Sequence, residues 1–323
     1  MPRSVTRREI LTTSVAAGTM AAASALRPDA VRAASPARTT DAAGSFRICL
    51  NTSTLRAHKL PITKTVDITA AAGYDGIELW VDEIDRHLKS GGTLKDLDKR
   101  IKDHGLVVVG AIAFFEWMVD DEARRTRGLA KVKQYMEQLA QIGATHIAAP
   151  PCGDVKNVDL LRAADRYREL LEVGAACEVT PAVEVWGPAK NLYRLGQAVL
   201  VALEARHPNA CILPDVYHLY KGGSGLSGIG WLNANLLAGF HLNDYPADPP
   251  RETIRDKHRV YPGDGIAPLK ALLRDLRAIG YRGPLSVELF NPAHARQDPA
   301  LVAKTALAKT RAVVRAAAAA SNG

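Results

Sequence analysis

Eight short apolar runs alternate with amphipathic stretches along this chain, and that alternation leaves few architectures open. The runs are FRICLNT (46–52), GIELWV (76–81), LVVVGAIAF (106–114), THIAAPP (145–151), PAVEVW (181–186), ACILPDV (210–216), AGFHLND (238–244) and PLSVELF (284–290). Segments between them, such as LKDLDKRIKDHG and LKALLRDLRAIG, place apolar residues three and four apart and close on a glycine. That is the spacing of one helical face with its C-terminal stop. Strands separated by helices make a parallel α/β fold. A doubly wound open sheet would bring a glycine-rich phosphate loop after its first strand, and FRICLNTSTLRAHKLP has none. Eight units instead close into a (β/α)8 barrel over residues 46–317, with the working residues expected at the C-terminal ends of the strands.

Four runs carry a residue that a buried strand should reject: Glu184, Asp215, His241 and Glu288, each late in its run. A lone acid at a strand end is more often a cap or a salt-bridge partner. Four in consecutive strands point to one shared cation, because carboxylates buried together without a partner are costly. Carboxylates with one imidazole and no thiolate suit Mn²⁺ first, then Mg²⁺ or Co²⁺, over a structural zinc held by cysteine. Such an ion takes neighbouring oxygens of a hydroxy ketone and lowers the pKa of the adjacent C–H, while a positioned base moves the proton. Glu184 and Glu288 are the candidate bases, each with one oxygen for metal and one for carbon. His218, three residues after Asp215, is expected on the loop outside the strand: a surface histidine by itself, a donor to substrate oxygen beside a metal. Glu78 in GIELW contacts substrate, orients another side chain or forms a salt bridge. Asp244 is expected as a carboxylate behind the ligands. His258 and Asp264 are solvated or substrate-facing.

Arg7 and Arg8, an uncharged stretch from Ile10 and small residues such as Ala23-Ser24-Ala25 make residues 1–34 a twin-arginine export signal. It is too weakly apolar for a membrane span. Cleavage near Ala25 or Ala33 would place the protein in the periplasm or outside the cell, behind a Ser/Ala/Thr/Gly linker at 35–45. Residues 318–323 read as a disordered tail. The formal charge of +8 is scattered over helical faces and not clustered, with aromatics at 6%, so no nucleic-acid groove is indicated. Cys49, Cys152, Cys177 and Cys211 lie far apart and read as free thiols. The oligomeric state stays open, a homo-oligomer included.

The motifs GYDGIELW (73–80), VEVW (183–186), PDVYH (214–218), FHLND (240–244), RVYPGDG (259–265) and GYRGPLSVEL (280–289) resemble the sugar isomerase and epimerase superfamily with the xylose isomerase-like TIM barrel. It includes ketose 3-epimerases, hydroxypyruvate isomerase, and inosose dehydratases and isomerases. By that resemblance Glu184, Asp215, His241 and Glu288 match metal ligands, Glu184 and Glu288 the proton-transfer pair, His218 a substrate-binding histidine and Arg259 a substrate-binding arginine. Trp117 and Trp186 either stack on a sugar ring or pack. Two segments depart from the ketose 3-epimerase pattern: WGPAKNLY lacks a second glutamate after Glu184, and FFEWMVDDE is individual to this chain. The resemblance implies an exported, metal-dependent isomerase or epimerase of a sugar, keto-sugar or cyclitol, working through an enediolate. The same machinery serves a 3-oxo-glycoside lyase or inosose-type dehydratase. A related apurinic endonuclease would need many more strand-end histidines and a basic face. A non-enzymatic sugar-binding barrel is the remaining class.

Overall fold

The computed structural model describes residues 46–319. The expected export signal and linker lie outside the described residues. Eight strands form: β1 Arg47–Asn51, β2 Gly76–Trp80, β3 Val107–Ile112, β4 His146–Ala149, β5 Thr180–Glu184, β6 Ile212–Leu213, β7 Phe240–Leu242 and β8 Pro284–Val287. Each falls within its apolar run, save that β5 begins one residue earlier at Thr180. They pair in parallel in the order β6-β5-β4-β3-β2-β1-β8-β7. The ring closes between β6 and β7 through single bridges, Ile212 with Leu237 and Asp215 with His241. There the amides of Ala238 and His241 donate to the carbonyls of Ile212 and Pro214, each at 3.0 Å.

Around the strands run α1 Ser53–Arg56, α2 Ile62–Ala72, α3 Val81–Lys89, α4 Leu94–Asp103, α5 Glu122–Gln141, α6 Leu160–Cys177, α7 Leu195–Glu204, α8 Val216–Lys221, α9 Leu269–Ala278 and α10 Pro299–Ala319. The architecture is therefore a (β/α)8 TIM barrel. Helix α10 runs past the expected end at residue 317, and the rest of the tail lies outside the described residues. The main core lies between sheet and helices, where α6, for example, buries Ala163, Tyr167, Leu170 and Leu171. Apolar area removed from water there stabilises the fold by roughly 25 cal/mol per Å². Inside the barrel a smaller cluster joins Trp80, Ile112, Ala148, Ala182, Cys211 and Leu213. The four cysteines are free, as expected, with three buried and Cys152 partly exposed. No described helix is long and apolar enough to cross a membrane.

Two local departures shape the mouth of the barrel. Strand β6 stops after Leu213, since Pro214 has no N–H to offer a ladder. Asp215 then becomes the N-cap of α8, accepting the His218 amide at 2.7 Å, so His218 sits in the first helical turn and not on the expected loop. On β2 the pairing with β3 shifts register between Ile77 and Glu78, setting Glu78 opposite Gly110. Such irregularities re-aim a side chain, and a Cβ at Gly110 would lie 3.4 Å from a Glu78 oxygen.

Candidate metal centre

At the C-terminal mouth Asp215, His241 and Glu288 converge, each offering one ligand atom within 4.8 Å of the others, all buried. His241 Nδ1 is 3.4 Å from Glu288 and 3.9 Å from Asp215. It has no hydrogen-bond partner. The other ring nitrogen, Nε2, lies 3.1 Å from the Glu78 carboxylate. A carboxylate only accepts, so Nε2 carries a proton, and Nδ1 is the atom left to hold a metal once its own proton leaves. An orphaned buried nitrogen facing two carboxylates fits a divalent cation.

Glu78 thus pairs with another side chain of the centre, as two of its expected alternatives have it. It is buried, and besides His241 it accepts from Asn51 Nδ2 at 2.8 Å. Asn51 reaches on to Glu288 at 3.2 Å and accepts the Trp80 indole N–H at 2.9 Å, tying β1, β2 and β8 together under the centre. Outer partners of this kind typically contribute 10–100-fold to metal affinity. Glu78→Gln is therefore expected to weaken divalent-ion binding by about 10–100-fold with the fold kept, read by titration calorimetry.

Arg259 enters from the loop after β7 and is 0% exposed. Its Nη1 donates to Asp215 at 3.0 Å and Glu288 at 2.7 Å, its Nη2 to Asp256 at 2.6 Å. It also lies 4.6 Å over the Tyr217 ring and 5.0 Å over Phe290. Asp244 fixes this loop. Its side chain accepts the amides of Tyr245, Gly263 and Ala267, and its backbone pairs with Val260. A Cβ at Gly265 would stand 2.3 Å from its oxygen, so only glycine fits there. Asp244 therefore clamps a loop and does not stand behind the ligands. Asn243 does, donating to Asp215 at 2.8 Å. His258 faces the backbone of Arg255, and Asp264 pairs with Lys309.

His218 is buried, and its Nε2 lies 3.1 Å from Arg259 Nη2. The arginine can only donate, so Nε2 accepts and Nδ1 carries the proton, and that N–H has no partner. Burial first, then the adjacent Arg259 charge, hold this ring well below the usual histidine range, neutral. Burial opposes the charged form of His241 too, but Glu78 and Glu288 outweigh it and push His241 up to about 10. Glu184, the last residue of β5, is 6% exposed, and its side chain forms no hydrogen bond or ion pair with another described residue. Burial, opposed by His241 and reinforced by Glu288 and Asp215, pushes it up to about 8. Glu288 is also raised by burial, against the pull of His241 and Arg259. The structure thus gathers three of the four expected ligands tightly and leaves Glu184 outside that trio.

Aromatic rings continue around the mouth: Trp186 to Phe114 at 6.0 Å, Phe114 to Trp80 at 5.8 Å, Trp80 to Phe290 at 6.0 Å. Trp186 also stands edge-on to His218. Trp117 does not join them. It is 0% exposed, its indole N–H bound to the Pro150 carbonyl at 2.9 Å and its ring against Tyr167, so it has no face free for a sugar. Asn51, Asn243, Phe114 and Phe290 went unnoticed in the sequence. The one signal was position, since Asn51 and Asn243 end apolar runs as the four singled-out residues do.

Residues 66–313 match the family pattern described as the xylose isomerase-like TIM barrel. The chain belongs to that family. An inosose isomerase of Bacillus velezensis is 25% identical over 277 residues, covering 83% of this chain and 97% of that one. A 3-dehydro-D-guloside 4-epimerase of Escherichia coli is 26% identical over 247 residues, 70% of this chain and 87% of its own. Among solved structures, IOLI protein with a binding zinc atom superposes with a TM-score of 0.77 at 25% identity, over 83% of this chain and 98% of the other. The buried Asp/His/Glu trio of this xylose isomerase-like chain and that zinc-bound relative both speak for a divalent metal.

Proposed function

We propose that this chain is a metal-dependent isomerase or epimerase of a keto-sugar or keto-cyclitol, moving a proton at the carbon beside a carbonyl. The observation that carries it is the trio with its unpartnered His241 Nδ1, set beside a lone buried glutamate on β5. Asp215, His241 and Glu288 would hold the ion, which when bound supplies a Lewis acid for the substrate's oxygens. We take the ion to be Mn²⁺, on the oxygen-rich donor set. Glu184, held near neutral pH in its affinity for protons, removes or returns the proton from one side, and Glu288 from the other. His218 offers its free Nδ1–H to a substrate oxygen, and Trp186 walls the same side. The relatives' names, an inosose isomerase and a keto-guloside epimerase, support a neutral cyclic ketone as substrate.

Elemental analysis of the purified protein, followed by incubation with inososes and 3-keto-glycosides in deuterated water, tests this reading. Deuterium appearing beside the carbonyl supports it; no exchange with any such ketone at saturating Mn²⁺ overturns it. An unsaturated product would mark elimination, in which the same first proton transfer is followed by loss of a β-substituent.

We also propose export of the folded enzyme through its paired arginines. Arg7→Lys together with Arg8→Lys is expected to leave the protein in the cytoplasmic fraction, whereas unchanged delivery to the periplasm would remove the twin-arginine assignment.

A further inference from the structure

We infer that a second sugar subsite, for a neutral hydroxylated ring joined to the ring that reacts, lies in the pocket between α1 and the segment following β8. The inference rests on the proposed function and extends it to the size of the substrate. The pocket has a volume of about 240 Å³ and is lined by Ser53, Arg56, Ala57, Leu289, Phe290 and Asn291, among others. That is below the roughly 300–1,000 Å³ of a whole-ligand cleft, and suits one ring as an annex to a larger site.

Its chemistry is specific. Ser53 is only 4% exposed, and its hydroxyl has no hydrogen-bond partner. That oxygen is itself enclosed, so the wall presents its surface and not this hydroxyl to a ligand. The positive charge of Arg56 is already taken: its two terminal nitrogens reach both oxygens of Asp82, and its guanidinium lies 4.5 Å over Trp80. A phosphate or carboxylate would find no free cation here. Asn291 donates one N–H to the Arg259 carbonyl at 3.1 Å and retains a second for a ligand hydroxyl. Phe290, partly exposed, supplies apolar surface of the kind that the C–H face of a pyranose covers. Phe290 also borders the metal centre, with Arg259 over its ring, and Glu288 is two residues earlier in the chain. One substrate can therefore place its ketone ring at the trio and its second ring beyond Phe290.

The experiment compares methyl 3-oxo-glucopyranoside, one ring, with 3-oxo-cellobiose, two rings, by the rate of solvent proton exchange in the Mn²⁺-loaded full chain. The wild type is expected to favour the two-ring ketone by about tenfold in kcat/KM, the size of one hydrogen bond plus one ring contact. Ser53→Leu fills the pocket from its wall and Ala57→Trp from its exposed rim, where folding is little at risk. Both should bring the ratio near one while the one-ring rate stays within about twofold, a change too small to reflect a lost contact. Equal rates for both ketones in the wild type overturn the subsite and leave the reaction standing. If neither ketone exchanges, the reaction assignment fails, and calorimetry with methyl glucoside and cellobiose then decides the subsite: tighter cellobiose binding abolished by Ala57→Trp sustains it, and equal binding overturns it.

Discussion

Arg259→Leu is expected to cost the metal-free protein about 3–5 kcal/mol of stability, the range for removing one partner of a buried ion pair. The guanidinium is wholly buried and donates to both Asp215 and Glu288, which His241 also faces. Leucine fills part of its volume and leaves two carboxylates facing each other with His241 as their remaining cation. The charged arginine is strongly favoured where it stands: burial opposes the charge, but Asp215, Glu288 and Asp256 outweigh that opposition. Adding Mn²⁺ should recover much of the loss, because an ion bound only by the folded state contributes about 2.7 kcal/mol at a hundred times its dissociation constant. Denaturant melts with and without the ion read both effects. A variant as stable as the wild type without metal would show that the cluster does not need a cation at all.

The second large effect is chemical. Glu288→Gln is expected to keep the fold and to slow exchange of the substrate C–H with solvent by about 10²–10⁴, the usual worth of a positioned acid–base group. Glutamine preserves the volume, but Asn51 and Arg259 bond different oxygens of Glu288, at 3.2 and 2.7 Å, so its single carbonyl oxygen keeps one of the two bonds. It loses the basic oxygen. Because the same side chain is a proposed ligand, the measurement belongs at saturating Mn²⁺, with occupancy checked by calorimetry. Exchange near the wild-type rate in the fully loaded variant would remove Glu288 from proton transfer.

The barrel was legible because strands and helices differ in period, and each of the eight apolar runs contains one of the eight strands, except that β5 begins one residue before its run. Asp215, His241 and Glu288 were legible for a related reason: a charged residue late in an apolar run has few places to go in a closed barrel except the mouth. What escaped notice depends on contacts far apart in sequence. Asn51 looks like an ordinary strand-end amide until its partners 27 and 237 residues away are seen. Trp117 resembles a binding-site aromatic in its loop, yet Tyr167 from α6 and the Pro150 carbonyl draw it into the core. His218 was misplaced because Pro214 ends β6 early and Asp215 starts a helix at once. Arg259 reaches the centre because Asp244 folds the loop back, which spacing alone does not encode.

The closure of the barrel between β6 and β7 has a consequence for its motion. Most neighbouring strands share ladders of several pairs, whereas here two isolated bridges join them, one of them between the backbones of Asp215 and His241. Regions with sparse backbone pairing open at lower free energy than the rest of a fold. Two of the three residues that would bind the ion therefore sit on opposite lips of a sparsely paired stave joint, and an ion gripping both would work as a hoop on a cask. Metal loading would then stiffen this wall.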